Sequence, residues 1–589
     1  MATNDNMSLF DDLSAQAVVV TRRYPTGYNK YDSTEEKMGG AKHAIKALLA
    51  EGRHLTVGFS GGKDSAVMST LALAALQEYV GEFGTAPTMF FITSDTGVEN
   101  PIVHAHAMGE MRKLQAFADQ LDLPVECHTA RPGLSGDYLV NVIGGRTVFS
   151  RSGMSRACTS DLKVTPIQTL KRHLMKRIGK DAAKRSVTLI GKRMDESTVR
   201  GNNMEANGER PDKPVWMAKN QNAKSASGEW LMSPIAHFTL DDIFMVIGMV
   251  RSEMVHTFSD FESLVQVYRQ ANGGDCMVTA FAKGLAEKKA CGARTGCFVC
   301  HHTAKDKSLE MMLAEPENAY MRPLNAFREF TYFEHYKVEN RNWLSRTVDN
   351  DGYMVLAPNA YHPDYCLQLL RICLTIDARE IEAAQALGIA PRFCLLSEQQ
   401  ILAIDMLWSR YGYQSGLAAC QAYYDVYDLG YRYDVPAPDT GAPQSMQAMR
   451  KVAVKFTDDE FSQWAHGLFD IDAAMAGAGH DLRRIDGEFE VDEEGASMFF
   501  AFELEYALKR YGVSPKARNP TAAFHYLTRL GVVSFRAGQE NETDRMLRMA
   551  NQVWRHGLHE VMGDPKALRE RLTANDDARP VLGGQYEML

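Results

Sequence analysis

The sequence predicts an α/β fold in which a parallel sheet is flanked by helices, followed by a cysteine-rich helical segment and a helical carboxy-terminal region. Short apolar strands alternate with helices in the first third of the chain, which is typical of parallel sheets covered on both faces. A polar glycine turn follows the first of these strands. Since ligands of such sheets bind at the carboxyl ends of the strands, we expect the functional site at that edge.

The individual elements follow from the spacing of apolar residues. An amphipathic helix precedes the first strand, and a helix rich in Ala and Leu follows the glycine turn. From about residue 239 the pattern becomes mostly helical, with a Gly/Cys-rich interruption at 272–303. The predicted strands are 55–59, 88–93, 125–129 and 186–190, and the predicted helices are 41–51, the segment up to about 79, and 104–121.

The composition is that of an ordinary globular protein, with 45% hydrophobic and 24% charged residues in a chain of 589. No run of about eighteen apolar residues occurs, so the sequence predicts no membrane-spanning helix. The start, MATNDNMSLFDD, lacks the basic and apolar parts of a secretion signal, which predicts a cytoplasmic protein. In that reducing compartment the ten cysteines favour metal ligation or thiol chemistry over disulfides.

A chain of this length predicts about three or four domains. The prolines and glycines of YRYDVPAPDTGAPQ indicate a linker, and no chemical motif follows it. The predicted organisation is an amino-terminal arm at 1–40, the α/β domain at 41–240, a Cys-rich segment at 241–345, a helical extension at 346–430, the linker at 431–444 and a helical accessory region at 445–589.

The motif SGGKDS, at residues 60–65, lies between a predicted strand and a predicted helix. Its two glycines let the backbone turn tightly, so that amide N–H groups can approach a phosphate chain. The helix N-terminus contributes the positive end of its dipole, and Lys63 contributes a full charge. The spacing differs from the GxxxxGK[ST] of Walker loops. The motif is similar to the PP-loop of N-type ATP pyrophosphatases, which cleave ATP between the α- and β-phosphates.

Two further polar segments follow predicted strands. Asp95, in SDTG, follows the second strand, where a carboxylate can contact adenosine or a metal ion. GKRMDES at 191–197, with Arg200 beyond it, follows the strand at 186–190. Together with SGGKDS these segments resemble the PAPS-reductase-like branch, in which corresponding segments line the nucleotide pocket. The predicted nucleotide-binding residues are Ser60, Gly61, Gly62, Lys63, Asp64, Ser65, Asp95, Gly191, Arg193 and Glu196.

A basic segment contains several of these residues. Between Arg146 and Arg200 there are fourteen Lys or Arg against four Asp or Glu, a local balance of +10 in a chain of net charge −9. The segment is either a solvated helix face or a site for the phosphates of ATP or of a nucleic acid backbone.

Four cysteines lie close together in the sequence. Cys276, Cys291, Cys297 and Cys300 give the pattern C-x14-C-x5-C-x2-C, with glycines that allow the loops to wrap a metal centre. Four thiolates suit either a [4Fe–4S] cluster or structural zinc, and the spacing alone does not choose between them.

Cys158 lies within the basic segment, in RACTSDLK. Neighbouring Arg and Lys favour the thiolate, which is the form that attacks sulfur or carries a persulfide. Cys158 is therefore a candidate sulfur-handling residue. The alternatives are a buried, inert cysteine and a ligand of the metal centre.

The motifs together resemble those of the DndC family of DNA phosphorothioation proteins, and the related SspD proteins share the general scheme. The resemblance rests on SGGKDS, RACTSDLK, GKRMDES and GARTGCFVCHHTAKDKS, of which the last is the most discriminating. It covers about 50–430 of the chain. It implies that SGGKDS binds ATP with Mg²⁺ and that the four closely spaced cysteines hold a [4Fe–4S] cluster, with zinc as the alternative.

The resemblance also implies a mechanism. ATP adenylylates a non-bridging oxygen of a DNA phosphate, and sulfur delivered as a persulfide by a cysteine desulfurase then displaces AMP. The implied partners are DNA, the desulfurase and other phosphorothioation-system proteins, with no membrane. The chain departs from the family in roughly 150 extra residues after the linker and in its negative net charge, so that DNA contact must rely on a local basic surface or a partner. The implied catalytic residues are Lys63, Asp64, Cys158, Arg193 and Arg200.

Other hypotheses share the fold or the ATP site. A PAPS or adenylyl-sulfate reductase is disfavoured, because Cys158 stands alone where those reductases carry a cysteine pair and the sequence ends in GGQYEML. An RNA-thiolating enzyme of the same fold is a further alternative. A non-catalytic, ATP-binding scaffold or redox sensor with a cluster, acting in a phage-defence complex, is the alternative from another class.

Overall fold

A computed structural model shows the fold of most of the chain, which divides into two compact units. Unit 1 comprises Met1–Asp95, Ile102–Ala130 and Pro166–Ala293, and unit 2 comprises Thr96–Pro101, Arg131–Thr165 and Arg294–Leu589. The predicted domain boundaries stay predictions. The residues that the structure describes are 31–152, 157–206, 218–219, 230–271, 296–346, 348–349, 351–441, 443–444, 446–449, 451–454, 467–468, 482–483, 485, 487–512 and 519–573.

Helices dominate the described residues, and none of these helices is both long and apolar enough to cross a membrane. Those before residue 272 are α1 (Thr34–Ala50), α2 (Lys63–Phe83), α3 (Pro101–Gln120), α4 (Tyr138–Ile143), α5 (Ala157–Thr159), α6 (Thr165–Ile178), α7 (Lys180–Lys184), α8 (Thr198–Ala206), α9 (Leu240–Arg251) and α10 (Glu262–Ala271). Those after residue 300 are α11 (Lys307–Met312), α12 (Arg322–Glu334), α13 (Pro363–Leu387), α14 (Glu398–Tyr411), α15 (Ala418–Tyr427), α16 (Glu493–Met498), α17 (Leu504–Tyr511), α18 (Ala522–Arg529), α19 (Glu540–Arg555) and α20 (Pro565–Thr573).

The strands are short and fall into a large sheet and several small ones. They are β1 (Leu55–Gly58), β2 (Met89–Ser94), β3 (Val125–Ala130), β4 (Val187–Leu189), β5 (Ala218–Lys219), β6 (Trp230–Met232), β7 (Arg341–Asn342), β8 (Tyr353–Met354), β9 (Ala360–Tyr361), β10 (Val452–Ala453), β11 (Leu482–Arg483), β12 (Phe489–Val491) and β13 (Val533–Arg536).

Unit 1 is built on a six-stranded sheet with the order β3-β2-β1-β4-β6-β5. Five of these strands pair in parallel, and β5 runs antiparallel to β6. In the register of the sheet, Leu55 of β1 lies between Met89 of β2 and Val187 of β4. The α/β class predicted from the sequence is therefore confirmed, and β1, which leads into SGGKDS, lies in the interior of the sheet.

The side chains of β2 show that helices cover both faces of this sheet. Successive residues of a strand point to opposite faces. Met89 and Phe91 belong to the main hydrophobic cluster, with residues of α1 and α2, whereas Phe90 and Ile92 pack in a second cluster with Leu174 of α6. Two buried faces explain why the strand is apolar throughout rather than alternating.

Helix α1 begins at Thr34, within the segment predicted to be an arm. Ser33 and Glu36 form a capping box: Ser33 Oγ accepts from the Glu36 N–H at 3.2 Å, and the Glu36 carboxylate accepts from the Ser33 N–H at 2.8 Å. In the first turn, Lys37 Nζ lies 2.6 Å from Oδ2 of Asp242 in α9, and both side chains are buried. These polar contacts extend the helix upstream of the apolar run from which it was predicted.

Unit 2 has its own core, centred on α13, α14 and α15. Trp408 of α14 is fully buried, and its Nε1–H donates to the carbonyl of Ile143, at the end of α4, at 2.7 Å. Asp405 of α14 accepts from the N–H groups of Ala419 and Cys420 at 2.8 Å each and so caps α15. Burial raises the pKa of the Asp405 carboxyl to about 6.

The region predicted as a helical accessory segment contains a small sheet as well as helices. Strand β13 lies between β11 and β12, parallel to the former and antiparallel to the latter. Glu488, just before β12, forms ion pairs with Arg146 and with Arg410 of α14. Burial raises and the two arginines lower the pKa of this carboxyl, which ends below its usual value. The region around β12 is thus joined to the rest of unit 2 by a partly buried charge network.

Candidate functional site

The SGGKDS loop follows β1 at the carboxyl edge of the parallel sheet. Gly61 has a φ of +71°, a conformation that side chains with a Cβ rarely adopt. Gly62 caps α2, which begins at Lys63. The first N–H groups of a helix have no partner within the helix, so this turn presents donors together with the positive end of the dipole. The geometry is that of a phosphate-binding helix N-terminus.

The loop is held in shape by its own serines. Ser65 Oγ donates to the carbonyl of Gly62 at 2.9 Å, and the N–H of Ser60 donates to Ser65 Oγ at 3.2 Å. Ser65 is buried, whereas Ser60 is exposed. Within the predicted residues 60–65, Ser65 therefore supports the loop from the interior, and Ser60 faces solvent.

His106 of α3 supports the same loop from outside the motif. Its Nε2 lies 2.9 Å from the carbonyl oxygen of Gly61, and its Nδ1 lies 2.7 Å from Oγ of Ser263 in α10. Burial lowers the pKa of this imidazole, which favours the neutral ring. The carbonyl can only accept, so Nε2 carries the proton and Nδ1 accepts from the Ser263 hydroxyl. Sequence reasoning missed both residues, because neither stands in a motif.

Lys63 and Asp64 begin α2 and face two different partners. Lys63 Nζ lies 3.0 Å from Asp64 Oδ2 and 5.6 Å from the centre of the Tyr268 ring in α10. Asp64 Oδ1 accepts from Nε of Arg193 at 2.6 Å. The ammonium of Lys63 thus lies against a carboxylate and an aromatic face, close to the helix N-terminus. Tyr268 was not predicted either, since a tyrosine on an amphipathic helix carries no specific sequence signal.

The GKRMDES segment packs against the SGGKDS loop. A Cβ on Gly191 would lie 3.2 Å from the amide nitrogen of Ser65, so only glycine allows this close approach without a shift. Arg193 is only 3% exposed, and its Nη1 lies 3.6 Å from Asp195 Oδ2. The guanidinium of Arg193 therefore joins the carboxylates of both motifs.

Glu196 of this segment forms an ion pair with Arg200, which lies just beyond the segment. Glu196 lies in a short 3-10 helix, Met194–Glu196, and Arg200 in the first turn of α8. Arg200 also lines an open pocket of about 510 Å³ together with Lys192 and Ser197. The pocket has two cationic side chains and is suited to an anionic group.

Asp95 follows β2 on the same edge of the sheet. Its N–H donates to the carbonyl of Ala130 at the end of β3, and its Oδ1 lies 3.6 Å from Nδ1 of His104 in α3. The described contacts thus bring together residues 60–65, Gly191 and Arg193, while Asp95 stands at the end of the neighbouring strand.

Replacing Gly61 with alanine should weaken ATP binding by about tenfold or more, because the loop amides would leave their positions around the phosphates. The new Cβ would lie 2.9 Å from Cβ of Ala107 and would strain a backbone with positive φ. Gly84, at the other end of α2, is a matched control with a φ of +79° and no atom within 4 Å of its added Cβ. Calorimetric titration with a non-hydrolysable ATP analogue measures both variants. Equal affinity for G61A and G84A would contradict the role given to the loop.

The cysteines that the structure describes near the predicted metal centre belong to unit 2. Glu99 and Cys297 form an isolated antiparallel bridge, and the N–H of Phe298 donates to the carbonyl of Val98 at 3.1 Å. The N–H of Cys300 donates to the carbonyl of Cys297 at 3.0 Å, so the two cysteines lie on one tight turn. Tight turns of this kind let both thiols of a CxxC pair face one metal centre.

Cys158 lies close to this turn. Lys163, in the π-helical turn that follows α5, forms an ion pair with Glu99 at 3.2 Å, which joins the segment of Cys158 to the residue that is bridged to Cys297. Burial raises the pKa of the Cys297 thiol to about 12; the charge of Lys163 lowers it, and Glu99, Cys300 and Cys158 raise it. Cys158 is thus near enough to Cys297 to interact with it electrostatically.

The metal-centre prediction falls partly outside the described residues. Cys276 and Cys291 both lie in 272–295, which the structure does not describe. Within the described part of the chain, no group of three or more His, Cys, Asp or Glu side chains is arranged to hold a metal ion. The soft thiol donors of Cys297, Cys300 and Cys158 fit an iron–sulfur or zinc centre in their chemistry.

Arg328 of α12 fixes the chain that follows Cys300. Its side chain is fully buried, and its Nε–H and Nη1–H donate to the carbonyls of Cys300 and Ala304 at 3.1 and 3.2 Å. Its Nη2 also donates to the carbonyl of Thr303. A single guanidinium therefore binds three backbone carbonyls and fixes the segment that follows the CxxC pair.

The chain is similar to some solved structures, at low identity. No family model and no curated protein matches it. FMN adenylyltransferase from Candida glabrata, in complex with FMN and an ATP analogue, matches 38% of this chain and 60% of its own, with 14% identity and a TM-score of 0.21. Yeast FAD synthetase in complex with FAD matches 38% and 62%, with 13% identity and a TM-score of 0.20. The chain thus spans about three fifths of the length of these structures, and such scores carry no argument about its function.

Proposed function

We propose that the chain is an ATP pyrophosphatase that activates a DNA backbone phosphate by adenylylation for sulfur insertion, as a component of DNA phosphorothioation. One structural observation supports the ATP-binding part of this proposal. SGGKDS follows the interior strand β1 at the carboxyl edge of a parallel sheet, and Arg193 of GKRMDES lies against its Asp64. The DNA and sulfur parts rest on the resemblance of the motifs.

In this proposal, unit 1 binds ATP and stabilises charge on its phosphates. The loop amides and Lys63 contact the phosphate chain, and Arg193 and Arg200 are the further cations of this unit. A non-bridging DNA oxygen attacks the α-phosphorus, and pyrophosphate leaves. Asp64 and Asp195 both contact Arg193, and their carboxylates are of the type that holds Mg²⁺ beside phosphates. Bound Mg²⁺ would neutralise charge on the leaving pyrophosphate.

The sulfur step requires a donor, for which we propose a cysteine desulfurase that supplies a persulfide. The terminal sulfur attacks the activated phosphorus, and AMP leaves. A thiol co-reductant then attacks the carrier sulfur, so that the S–S bond breaks, a disulfide forms and the phosphorothioate is released. Cys158 is the residue of this chain proposed to handle that sulfur, because it lies near the CxxC pair and Lys163 stands in the following turn.

Cys297 and Cys300, with Cys276 and Cys291, are proposed to hold a [4Fe–4S] cluster. Such a cluster supplies a one-electron redox centre when bound. This chain contributes three features to that site: the ordered turn of Cys297 and Cys300, the bridge to Glu99, and the hydrogen bonds by which Arg328 fixes the following loop. Anaerobic purification tests the proposal: a brown protein that contains iron supports it, and a colourless protein that contains zinc contradicts it.

The pathway is tested by mass spectrometry of nuclease-digested DNA and RNA from cells with and without this gene. We expect phosphorothioate-linked dinucleotides in the DNA that disappear on deletion and return with the intact gene. Unchanged DNA with a lost thiolated nucleoside in RNA would replace the proposal with an RNA-thiolating enzyme. If neither nucleic acid changes, DNA phosphorothioation is excluded.

A further inference from the structure

Unit 2 contains a group of cationic and aromatic side chains that the proposed function does not use. We call it the arginine–tyrosine cluster and define it by Arg151, Arg341, His301, His335 and the tyrosines that surround them. Arg341 begins β7, and His335 follows α12. Arg151 and His301 face each other in an isolated parallel bridge. The cluster therefore joins three segments that are distant in the sequence, those of Arg151, of His301 and of residues 335–341.

Arg341 is buried without a full set of partners. Its side chain is 3% exposed, its Nε–H donates to the carbonyl of His335 at 3.0 Å, and its guanidinium lies 4.9 Å from the centre of the Tyr361 ring. Its Nη1 is buried and finds no hydrogen-bond partner among the described residues. A buried guanidinium with an unmet donor is costly, so such groups usually have an anion or an acceptor nearby.

Arg151 brings a second positive charge close to Arg341. Its guanidinium lies 4.7 Å from the centre of the Tyr336 ring, and its side chain is partly exposed. The pKa of Arg341 is lowered first by burial and also by the charge of Arg151. Two guanidinium groups that repel each other in this way destabilise the fold unless a negative charge compensates them.

No carboxylate of the described residues pairs with either arginine. The buried acid nearest in sequence is Glu334, and its carboxylate is engaged by Asn340 Nδ2 at 2.7 Å and by Lys337 Nζ at 2.8 Å. The charged groups that act on Arg341 and on His335 are all cations or tyrosines. The cluster therefore has excess positive charge in the part of unit 2 that the structure shows.

The histidines add neutral hydrogen-bonding groups. Burial, and then Arg341 and Arg151, lower the pKa of His335 to about 2, so this ring is neutral, and its Nδ1 lies 2.8 Å from the hydroxyl of Tyr361. His301 is 3% exposed, and its Nδ1 has no hydrogen-bond partner in the described structure. The cluster thus contains two buried polar atoms that have no hydrogen-bond partner in the described structure. They are Nη1 of Arg341 and Nδ1 of His301, which lie on different segments.

We propose that Arg151 and Arg341 bind a phosphate-type oxyanion in unit 2. Planar guanidinium groups match the oxygens of a phosphate with paired hydrogen bonds, and the aromatic walls keep water from competing. The partly exposed Arg151 provides the access to solvent. The site is independent of ATP binding at SGGKDS and goes beyond the proposed function.

The test uses inorganic phosphate as the probe and the full chain with Lys63→Ala, so that the ATP loop contributes little to anion binding. Isothermal titration measures the dissociation constant for phosphate. Adding Arg151→Gln should weaken binding by about tenfold or more, because a charge-assisted contact is lost. Adding Arg346→Gln should leave it unchanged, since this arginine also lies over a tyrosine, at 5.2 Å from the Tyr411 ring, but outside the cluster.

A second variant tests the proposal in case Arg151→Gln misfolds. If Arg151→Gln changes the near-ultraviolet circular dichroism, Arg341→Lys is measured instead; it keeps the charge and loses the paired geometry, and binding should again weaken. Equal phosphate affinity in the cluster variant and in the Arg346→Gln control overturns the proposal, as does an absence of phosphate binding in the parent protein.

The source of the oxyanion is resolved by competition. A fluorescent single-stranded oligonucleotide is titrated into the same proteins, and phosphate or sulfate is then added. Arg151-dependent oligonucleotide binding assigns a phosphodiester as the ligand. Arg151-dependent phosphate binding without oligonucleotide binding assigns a free oxyanion.

Discussion

Replacing Lys63 with alanine is expected to lower the release of pyrophosphate from ATP by about a hundredfold to a thousandfold, which is the usual cost of removing one preorganised charge partner in a transition state. Lys63 is the first residue of α2 and stands at the helix N-terminus beside Asp64. Without its ammonium, negative charge on the phosphates would be met only by the loop amides, Arg193, Arg200 and bound Mg²⁺. Single-turnover assays of AMP and pyrophosphate measure the effect.

Lys46→Ala is the matched control for this variant. Lys46 is another lysine of unit 1, in α1, and forms ion pairs with Glu78 and Glu82 at 3.3 and 3.8 Å. Exposed pairs of this type contribute about 0–1 kcal/mol to stability, so activity should stay close to that of the wild type. If Lys63→Ala keeps both pyrophosphate release and phosphorothioation in cells, the SGGKDS loop does not catalyse the reaction, and the non-catalytic scaffold becomes the better hypothesis.

Replacing Cys158 with serine is expected to abolish sulfur insertion while ATP still binds. The thiol lies near Cys297, and serine has neither the nucleophilicity of a thiolate nor its affinity for iron. Phosphorothioate linkages in DNA, measured by mass spectrometry in cells that carry the variant, report the loss. Calorimetric titration with an ATP analogue confirms that unit 1 is intact.

Iron content separates the two roles that a cysteine at this place can have. Retained iron in C158S supports a sulfur-handling residue, whereas lost iron makes Cys158 a ligand and releases one of the other four cysteines from that role. Cys394→Ser is the control, because Cys394 is an exposed cysteine of unit 2 outside this group. Normal sulfur insertion in C158S would contradict both roles.

The sheet of unit 1 was largely predictable because its strands are apolar runs. β1 and β2 were placed to within about one or two residues, since burial on both faces leaves few polar residues in them. β6 was missed, because Trp230–Met232 is too short to show a period. The start of α1 was missed because it depends on a capping box and a buried ion pair with Asp242 rather than on apolar spacing.

In the candidate site, too, features formed by consecutive residues could be predicted, whereas contacts between residues distant in the sequence could not. SGGKDS and GKRMDES were recognisable because each is a run of consecutive residues that follows a strand. The support of Gly61 by His106 and Ser263 was not, since the three residues come from separate elements and meet only through the fold. The proximity of Arg151 to Arg341 could not be predicted from the sequence for the same reason.

The way in which the two units share the chain also constrains how the protein is made and how it can be dissected. Residues 96–101 and 131–165 belong to unit 2, although unit 1 surrounds them in sequence. Ile143 of α4 accepts its hydrogen bond from Trp408, more than 260 residues later. During synthesis, the apolar face of α4 therefore stays exposed to solvent until α14 has left the ribosome. A truncation after residue 293 would keep all of unit 1 but leave α4 permanently without its core, so functional dissection needs point variants rather than fragments.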